Sequence, residues 1–404
     1  MTSTPDRWSS WKRCSFRFLL LYFVLFATPG FLQATGIVAW MGGMVRPDHD
    51  FQSTVSTGSG DGIASYVRVL AALSLSVVLS LLWCALDRRR PNDRALSRWL
   101  AWGVRYYLAV MMLVYGFSKV LPVQFGTLGL SRLVQPYGDS SPMGLLWTFM
   151  AYSREYTFCA GLAEVLAGLM LLFLRTTTLG ALLAMAVMSQ VFLLNLCYDV
   201  PVKLFSLHLL LMGIGLAAGD LRRLADFFLR GRTTCAADRA PLFSSPRANR
   251  VFVALKAVAI VIGLAGATWF GVQLDNIERP HLYGIHDVET FEWNGEPRPP
   301  LLTDPIRWRS LVVDRLGCRV GRMDGSLERC TFEANADTGA VAFALPEKSA
   351  RTAWTARRLS PLRVELAGAL GDDTVRMILK ERDLDEFLLV SRGFHWISPR
   401  PFNR

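Results

Sequence analysis

Charged and polar side chains inside apolar stretches are the residues of this chain best suited to chemistry. The segment "NLCYDVPVKLFSLHLLL" (195–211) carries Asn195, Asp199, Lys203 and His208 within about four helical turns. A charge near the centre of a bilayer costs at least about 2.5–3.5 kcal/mol. Such groups are therefore expected to pair with one another, to exchange protons or to hydrogen-bond a small molecule.

Two more cations lie inside the stretch "RWLAWGVRYYLAVMMLVYGFSKVLPVQF", which runs from Arg98 to residue 125. Arg105 and Lys119 are fourteen residues apart, close to four helical turns, so they share one helix face, with Tyr115 between them. Of the two cations, Lys119 lies at the same predicted depth as Glu164. We therefore expect Lys119 rather than Arg105 to be the partner of that carboxylate.

Glu164 lies in the apolar stretch "FCAGLAEVLAGLMLLFL" (158–174), where small residues such as Gly161 and Gly168 lie one turn away on each side. Stripes of small residues let helices approach closely in lipid. Glu164 should therefore face the interior of a helix bundle, where a carboxyl group needs a cation or a proton.

The polar residues of four stretches fall at a similar predicted depth, in the outer half of the bundle. They form either a small-molecule site or a structural network that fixes helix register. We favour structural roles for Asp199, as the cap of the sixth predicted helix, and for Lys203, whose long side chain reaches the interface, and a packing role for His208. For Glu164 we favour the functional role. The candidate set is Arg105, Tyr115, Lys119, Glu164, Gln190, Asn195, Asp199, Lys203 and His208.

Several other site classes have no support in the sequence. The chain has no C-x-x-C motif, no phosphate-binding loop and no cluster of metal-ligand residues. A membrane haem held by two histidines would need a second His inside an apolar stretch besides His208. We therefore expect no metal site, and we do not expect an autonomous enzyme.

The elements that position these residues are apolar runs long enough to span a bilayer as helices. The 404 residues are 52% hydrophobic, and their net charge of +11 is concentrated in Arg-rich loops at 87–98 and 220–250. Arg-rich loops mark the cytoplasmic side, and nothing indicates nucleic-acid binding. We predict a multi-pass cell-membrane protein with a cytoplasmic N-terminus. The seven predicted spans are 18–41, 63–86, 99–121, 156–174, 177–197, 202–219 and 251–274. For 18–41 we favour an uncleaved helix bent at Pro29, with a signal peptide as the alternative.

The chain from 285 to 404 predicts a small antiparallel β barrel or sandwich on the periplasmic or extracellular side. A three-residue "MDG" turn would set Cys318 opposite Cys330, which makes a disulfide possible there. The end of the chain, "FLLVSRGFHWISPRPFNR", is read as a final strand and an aromatic plug. The alternative is a patch that binds an anionic partner or lipid headgroups.

Between the third and fourth spans, "SPMGLLWTFMAY" predicts an interfacial helix.

The region 99–228 resembles the DoxX/DoxD-like family of membrane proteins. The elements that carry the resemblance are "RYYLAVMMLVYGFSKV", "GLAEVLAGLMLLFLRTTTLGAL" and "NLCYDVPVKLFSLHLLLMG". The resemblance implies a four-helix core and a role near quinone or thiol redox chemistry. Its polar signature here would be Arg105, Lys119, Glu164, Asn195, Asp199 and Lys203.

With the resemblance included, the chain divides into two added helices (1–98), a DoxX-like core (99–228), a cytoplasmic loop with a seventh span (229–284) and a β domain (285–404). The expected function is that of a redox-associated accessory subunit with a quinone-like ligand, electrons coming from a protein partner. The alternative is a non-enzymatic anchor in the membrane lipid, which presents the β domain to envelope proteins.

Overall fold

The computed structural model describes residues 7–51, 58–88, 90–235, 245–315, 317–334, 340–345 and 348–403. The chain divides into two compact units, each built from two stretches of sequence. The helical unit comprises Met1–Gln124 and Glu155–Thr268, and the barrel unit comprises Phe125–Arg154 and Trp269–Arg404. The barrel unit thus includes the connection between the third and fourth predicted spans as well as the predicted β domain.

The described helices include five that are long and apolar enough to cross a membrane, namely α4, α5, α8, α9 and α12, as expected of a membrane protein. Helices α10 and α11 reach the length and apolar character of a membrane span only when they are taken together, and the pair is bent by 72°. In chain order the helices are α1 Ser10–Ala27, α2 Pro29–Ala34, α3 Ile37–Val45, α4 Ile63–Leu86, α5 Arg94–Val120, α6 Leu130–Val134, α7 Pro142–Tyr152, α8 Arg154–Leu172, α9 Thr177–Cys197, α10 Lys203–Ala218, α11 Leu221–Phe228, α12 Pro246–Asp275 and α13 Leu388–Ser391.

The first predicted span is not a single helix. It is divided into α1, α2 and α3, with breaks at Thr28 and at Gly36, which has a left-handed φ of 71°. Pro29 begins α2, where its missing N–H costs nothing. The bundle of seven full spans therefore stays a prediction.

Helix α1 is fastened to the connection between α4 and α5 by Arg17, whose side chain is fully buried. Its Nε donates to Asp93 Oδ2 and its Nη2 to Asp87 Oδ2, each at 2.9 Å. Cys14 of α1 is also paired with Cys84 of α4. Arg90 supplies a second cation to the same two carboxylates, 3.6 Å from Asp87 Oδ2 and 3.8 Å from Asp93 Oδ1, so this network holds the helices without leaving a bare charge.

The predicted four-helix core corresponds to α5, α8, α9 and α10. Buried side chains from all four helices form one apolar cluster, with Met112 on α5, Leu171 on α8, Ala181 on α9 and Leu209 on α10. The small residues on these helices allow close packing in the way that membrane helix pairs favour.

The β domain is a closed antiparallel barrel. Strand β1 pairs with β3, neighbouring strands pair in sequence from β3 to β9, and β9 pairs back to β1; the short β2 pairs with the end of β1. Of the two predicted architectures, the barrel is therefore the one observed. The strands are β1 Gly284–Trp293, β2 Glu296–Pro297, β3 Trp308–Asp314, β4 Gly317–Arg322, β5 Leu327–Ala334, β6 Ala340–Leu345, β7 Lys348–Ser360, β8 Arg363–Leu370 and β9 Asp373–Glu381.

The barrel interior is filled by side chains. The indoles of Trp308 and Trp354 stack with ring centroids 5.8 Å apart, and both side chains are fully buried. Phe291, Leu311 and Met377 pack in the same cluster. A barrel of eight strands is just wide enough for side chains to fill, so this interior is a packed core.

Gly368 of β8 lies directly opposite Trp354 of β7, and a Cβ at this position would overlap the indole ring. We predict that Gly368→Ala destabilises the barrel by about 1–3 kcal/mol, the usual cost of overpacking. The measurement is the unfolding midpoint of the full-length protein in detergent. Gly138→Ala, where a Cβ meets open space in the same unit, should change stability by less than about 0.5 kcal/mol. Equal effects of the two substitutions would contradict the prediction.

The hairpin of β4 and β5 has the register expected from its turn. Cys318 lies opposite Cys330, and the two are joined by a disulfide. The turn contains Gly325 with a left-handed φ of 92°, which explains the preference for glycine at this position.

The segment between α5 and α8 packs on the barrel. Leu130 at the start of α6 forms an apolar cluster with Ile285 of β1 and Val312 of β3. Its backbone N–H donates to Asp314 Oδ2 at 2.9 Å. The segment predicted as an interfacial helix forms α7 in the same unit, and its placement at the membrane interface stays a prediction.

His286 of β1 is buried in the barrel unit, and its Nε2 donates to the carbonyl oxygen of Leu282 at 2.9 Å. Burial lowers the pKa of this imidazole below its ordinary value, although the bond to Leu282 and the nearby Glu381 act in the opposite direction. The folded barrel therefore holds His286 neutral at pH values where an unfolded chain would protonate it.

We predict that acidification destabilises the barrel through His286. Because the folded pKa is below the unfolded pKa of about 6.5, stability is complete above that pH and falls as the pH drops below it. The loss per pH unit is at most about 1.4 kcal/mol. Unfolding midpoints at pH 7.5 and 5.5 measure it. His286→Gln should reduce the difference between the unfolding midpoints at the two pH values. His395→Gln, at an exposed position, should leave that difference unchanged.

Candidate functional site

Lys119 and Glu164 form a buried ion pair in the helical unit. Lys119 Nζ lies 2.9 Å from both carboxylate oxygens of Glu164, and both side chains are buried. The pair lies beside the crossing of α5 and α8, where a Cβ on Gly161 would be 2.7 Å from the carbonyl oxygen of Gly116. The small residues thus bring the two helices into backbone contact, and that contact places the amine on the carboxylate.

Tyr115 lies one turn before Lys119 on α5. The Lys119 ammonium is 5.8 Å from the centre of the Tyr115 ring, within the range of a cation–π contact. The ring also lies 5.9 Å from that of Phe205 on α10. Tyr115 therefore connects the ion pair to an aromatic cluster between the helices.

Arg105 is buried four turns away from this ion pair. Its Nη1 lies 3.4 Å from Thr177 Oγ1, and its guanidinium lies over the ring of Tyr106 at 4.6 Å. These two contacts are with the start of α9 and with its own helix. This placement agrees with the choice of Lys119 as the partner of Glu164.

Asp199 and Lys203 are paired at the turn before α10, with Lys203 Nζ 2.8 Å from Asp199 Oδ1. The carboxylate that caps α10 is Asp61, from the connection between α3 and α4. Asp61 accepts the backbone N–H groups of Lys203 at 2.7 Å and of Leu204 at 3.0 Å. A side-chain oxygen on these N–H groups satisfies donors that a helix start leaves open. Asp199 is exposed and is not the cap.

The two amide residues of the candidate set lie in different surroundings. Asn195 is buried and donates to Ser206 Oγ at 3.0 Å, which links α9 to α10. Gln190 is exposed on the surface of α9. Of the two, only Asn195 therefore belongs to the bundle interior.

His208 contacts α1 rather than the ion pair. Its Nδ1 lies 2.6 Å from the carbonyl oxygen of Leu204, and its Nε2 lies 2.5 Å from the Tyr22 hydroxyl. A carbonyl only accepts, so Nδ1 carries the proton, and neutral His208 accepts from Tyr22 at Nε2. The imidazole also stacks on Phe26, with centroids 4.1 Å apart and planes 8° apart.

Comparisons with known proteins give one informative match. No family model matches the chain, and no solved structure matches it. The chain is 34% identical over 127 residues to the uncharacterized protein YwoB of Bacillus subtilis (strain 168), a match that covers 31% of this chain and 79% of YwoB. This chain belongs to the YwoB family.

In this YwoB-family protein the candidate residues divide into separate groups. The ion pair is compensated in charge, Asn195 links two helices, and Asp199 and Lys203 lie at a helix start. The group of Tyr22, Phe26 and His208 differs from these, because it combines a stacked ring with a hydroxyl and an imidazole. Such a group can bind a flat ring and hydrogen-bond its polar edge.

Sequence reasoning missed Asp61, Tyr22, Phe26 and Arg17. The aromatic residues of 18–41 occur among many other apolar residues, so their pattern does not single out two of them. Asp61 lies in a Gly- and Ser-rich loop that predicts a turn and not a cap for a helix 140 residues later. Arg17 is the last of three basic residues, with Lys12 and Arg13, that precede the apolar run at 18–41, so its position indicated only a basic flank.

In the part of the chain that the structure describes, no group of three or more His, Cys, Asp or Glu side chains is placed to hold a metal ion. The chemistry that the described residues offer is hydrogen bonding, ring stacking and proton exchange.

Proposed function

We infer that this YwoB-family protein is a DoxX-like membrane subunit that binds a quinone-like ring at the group formed by Tyr22, Phe26 and His208. The observation that carries the proposal is the imidazole stacked on Phe26 and hydrogen-bonded to Tyr22. A quinol hydroxyl can donate to the Tyr22 oxygen, and a flat ring can extend the stack. Electrons come from a protein partner, which makes the chain an accessory oxidoreductase subunit.

Further aromatic rings around this group support the proposal. The centroid of the Phe26 ring lies 6.3 Å from that of Tyr107 and 6.5 Å from that of Phe205, so rings from α1, α5 and α10 lie together. Ligand sites for apolar molecules are lined in this way, with few polar groups that fix orientation. Glu164 and Lys119 then act as structural partners of this site, a role different from the ligand contact first expected for Glu164.

The test is purification with native lipid retained, followed by mass spectrometry of small molecules that co-purify. A quinone-like compound should accompany the parent protein and be lost from Phe26→Ala. Phe173→Ala, at an exposed ring of the same bundle, should retain it. A titration with menadione provides a second readout by quenching of tryptophan fluorescence. Absence of the compound together with no saturable quenching would exclude the quinone site.

A second function has an observation of its own. The barrel interior is filled by Trp308 and Trp354, so the barrel acts through its outer surface. This supports an anchor protein that presents the barrel to envelope partners. A photo-crosslinker at exposed Leu362 of the full-length protein should then capture one partner reproducibly, and Phe26→Ala should not affect the capture.

We also propose that the N-terminus is cytoplasmic and the barrel periplasmic or extracellular, as the Arg-rich loops indicate. The Cys14–Cys84 pair then faces a reducing compartment, which converts it to two thiols, while Cys318 and Cys330 face an oxidising one. In growing cells, alkylation is expected to modify Cys14 and Cys84 and to spare the barrel disulfide. The reverse pattern would support the opposite orientation.

A further inference from the structure

The last sixteen described residues, 388–403, form an exposed aromatic segment on the barrel unit, which we call the aromatic tail. The prediction of a final strand and a plug is wrong here, because the chain after β9 forms α13 and then irregular structure. Phe394, Trp396 and Ile397 are 78%, 90% and 83% exposed. Large apolar side chains clustered in this way on a surface mark an interaction site.

The residue just before the aromatic tail, Phe387, is packed on the barrel. Phe387 packs in the apolar cluster with Leu130, Ile285 and Val312. Beyond it, the guanidinium of Arg392 lies over the ring of Phe402 at 4.2 Å, and Phe394 packs against Trp396 with centroids 5.1 Å apart. The tail is therefore a defined patch of rings that starts from a packed residue.

The charge of the aromatic tail is of one sign. Residues 388–403 include Arg392 and Arg400 and contain no Asp or Glu. Trp and Phe rings together with Arg are the residues that settle at the interface between lipid headgroups and acyl chains. Arginines near an anionic membrane surface each favour binding by about 1 kcal/mol.

The linker between α12 and the barrel limits how far the barrel can lie from a bilayer that α12 crosses. Eight residues separate the end of α12, at Asp275, from the start of β1, at Gly284. Eight residues extend over at most about 28 Å. Because α12 is one of the helices able to cross a membrane, the lipid surface is present at a high effective concentration, whereas a soluble partner would have to be recruited.

We propose that the aromatic tail inserts into the headgroup region of the bilayer that the protein spans and binds its anionic lipids. Phe394, Trp396 and Ile397 enter the interface, and Arg392 and Arg400 contact the lipid phosphates. The barrel is then held to the membrane at two points, the end of α12 and the tail.

The experiment uses full-length protein reconstituted in vesicles, with Cys14, Cys84, Cys159, Cys197 and Cys235 replaced by serine, so that the two cysteines of the barrel disulfide are the only others present. An environment-sensitive NBD fluorophore is attached at Ile397→Cys. The matched control carries the fluorophore at Leu302→Cys, another aliphatic position of the same unit with 76% exposure. Vesicles contain either phosphatidylcholine alone or phosphatidylcholine with phosphatidylglycerol, and each is prepared with and without nitroxide-labelled lipid.

The expected result is a blue-shifted emission at position 397 that is quenched by nitroxide lipid, with little change at position 302. Phe394→Ser combined with Trp396→Ser should abolish the quenching at 397. Arg392→Gln combined with Arg400→Gln should remove the dependence on phosphatidylglycerol and lower the ratio of inserted to free tail by about thirtyfold.

Three outcomes would overturn the proposal. Absence of quenching at 397 places the tail in water. Equal quenching at both positions shows that the whole barrel lies on the lipid and that the tail has no special role. A blue shift that depends on protein density in the vesicle and not on nitroxide lipid shows that the tail binds a second copy of the chain. Intact Cys318–Cys330 in every variant verifies that the barrel has folded.

Discussion

Glu164→Gln is expected to destabilise the helical unit by about 3–5 kcal/mol, the cost of removing one partner of a buried ion pair. The substitution leaves the Lys119 ammonium with a neutral amide in a site where both side chains are buried. Desolvation of that charge is then no longer compensated by an opposite charge. Reversible unfolding in mixed detergent micelles, followed by helical circular dichroism, measures the loss.

The double variant Lys119→Met with Glu164→Leu removes both charges. It therefore separates what the ion pair contributes to the free energy of unfolding from the cost of leaving one charge buried without a partner. Apolar replacement of both partners should restore most of the stability, since a buried pair and an apolar pair of similar volume are often equivalent. Asp199→Asn is the control, because it removes the exposed partner of Lys203 and should cost at most about 1 kcal/mol. If Glu164→Gln proves no more costly than Asp199→Asn, the ion pair does not stabilise the bundle.

Gly161→Ala is expected to produce the second large effect. The added Cβ would lie 2.7 Å from the carbonyl oxygen of Gly116 and 2.7 Å from Lys119 Cβ, so backbone atoms on both helices would have to move apart. Overpacking of this kind costs about 1–3 kcal/mol. It would exceed the gain of about 1 kcal/mol that alanine usually brings to a helix.

Gly215→Ala is the matched comparison, since Gly215 lies within α10 and a Cβ there meets open space. The two glycine substitutions should therefore have opposite signs, with stabilisation by up to about 1 kcal/mol at 215. A combined Gly161→Ala and Glu164→Gln variant should lose less than the sum of its parts, because both changes disturb the same ion pair. Stabilisation by both glycine substitutions would show that α5 and α8 are free to separate.

Local patterns in the sequence were sufficient for the features that depend on nearby residues. Runs of apolar residues predicted the five helices that are long enough to cross a membrane, and the small residues around Glu164 predicted its close packing against another helix. The turn at Gly325 set Cys318 opposite Cys330. In each case, the spacing along one or two elements determines the contact.

Contacts between distant elements could not be obtained in this way. A helical pattern shows which face His208 occupies but not that Tyr22, nearly 190 residues earlier, lies against that face. Asp61 caps a helix far along the chain, and the aromatic tail leaves the barrel instead of closing it. Asn195 and His208 were predicted to lie near Glu164 because all three fall at a similar depth along their helices. Their side chains point in other directions, and their partners are Ser206 and Tyr22.

The packing of Leu130 on β1 and β3 has a consequence for biosynthesis. Residues 125–154 emerge from the ribosome long before the strands that they contact, and at about 5–20 residues per second the delay until β3 is complete is roughly 10–30 s. During that interval the apolar surface of α6 lacks its final cover and is a target for chaperones. Because each unit is built from two stretches of sequence, no single cut in the chain separates the two units. A barrel expressed on its own would need the 125–154 segment supplied as a separate peptide.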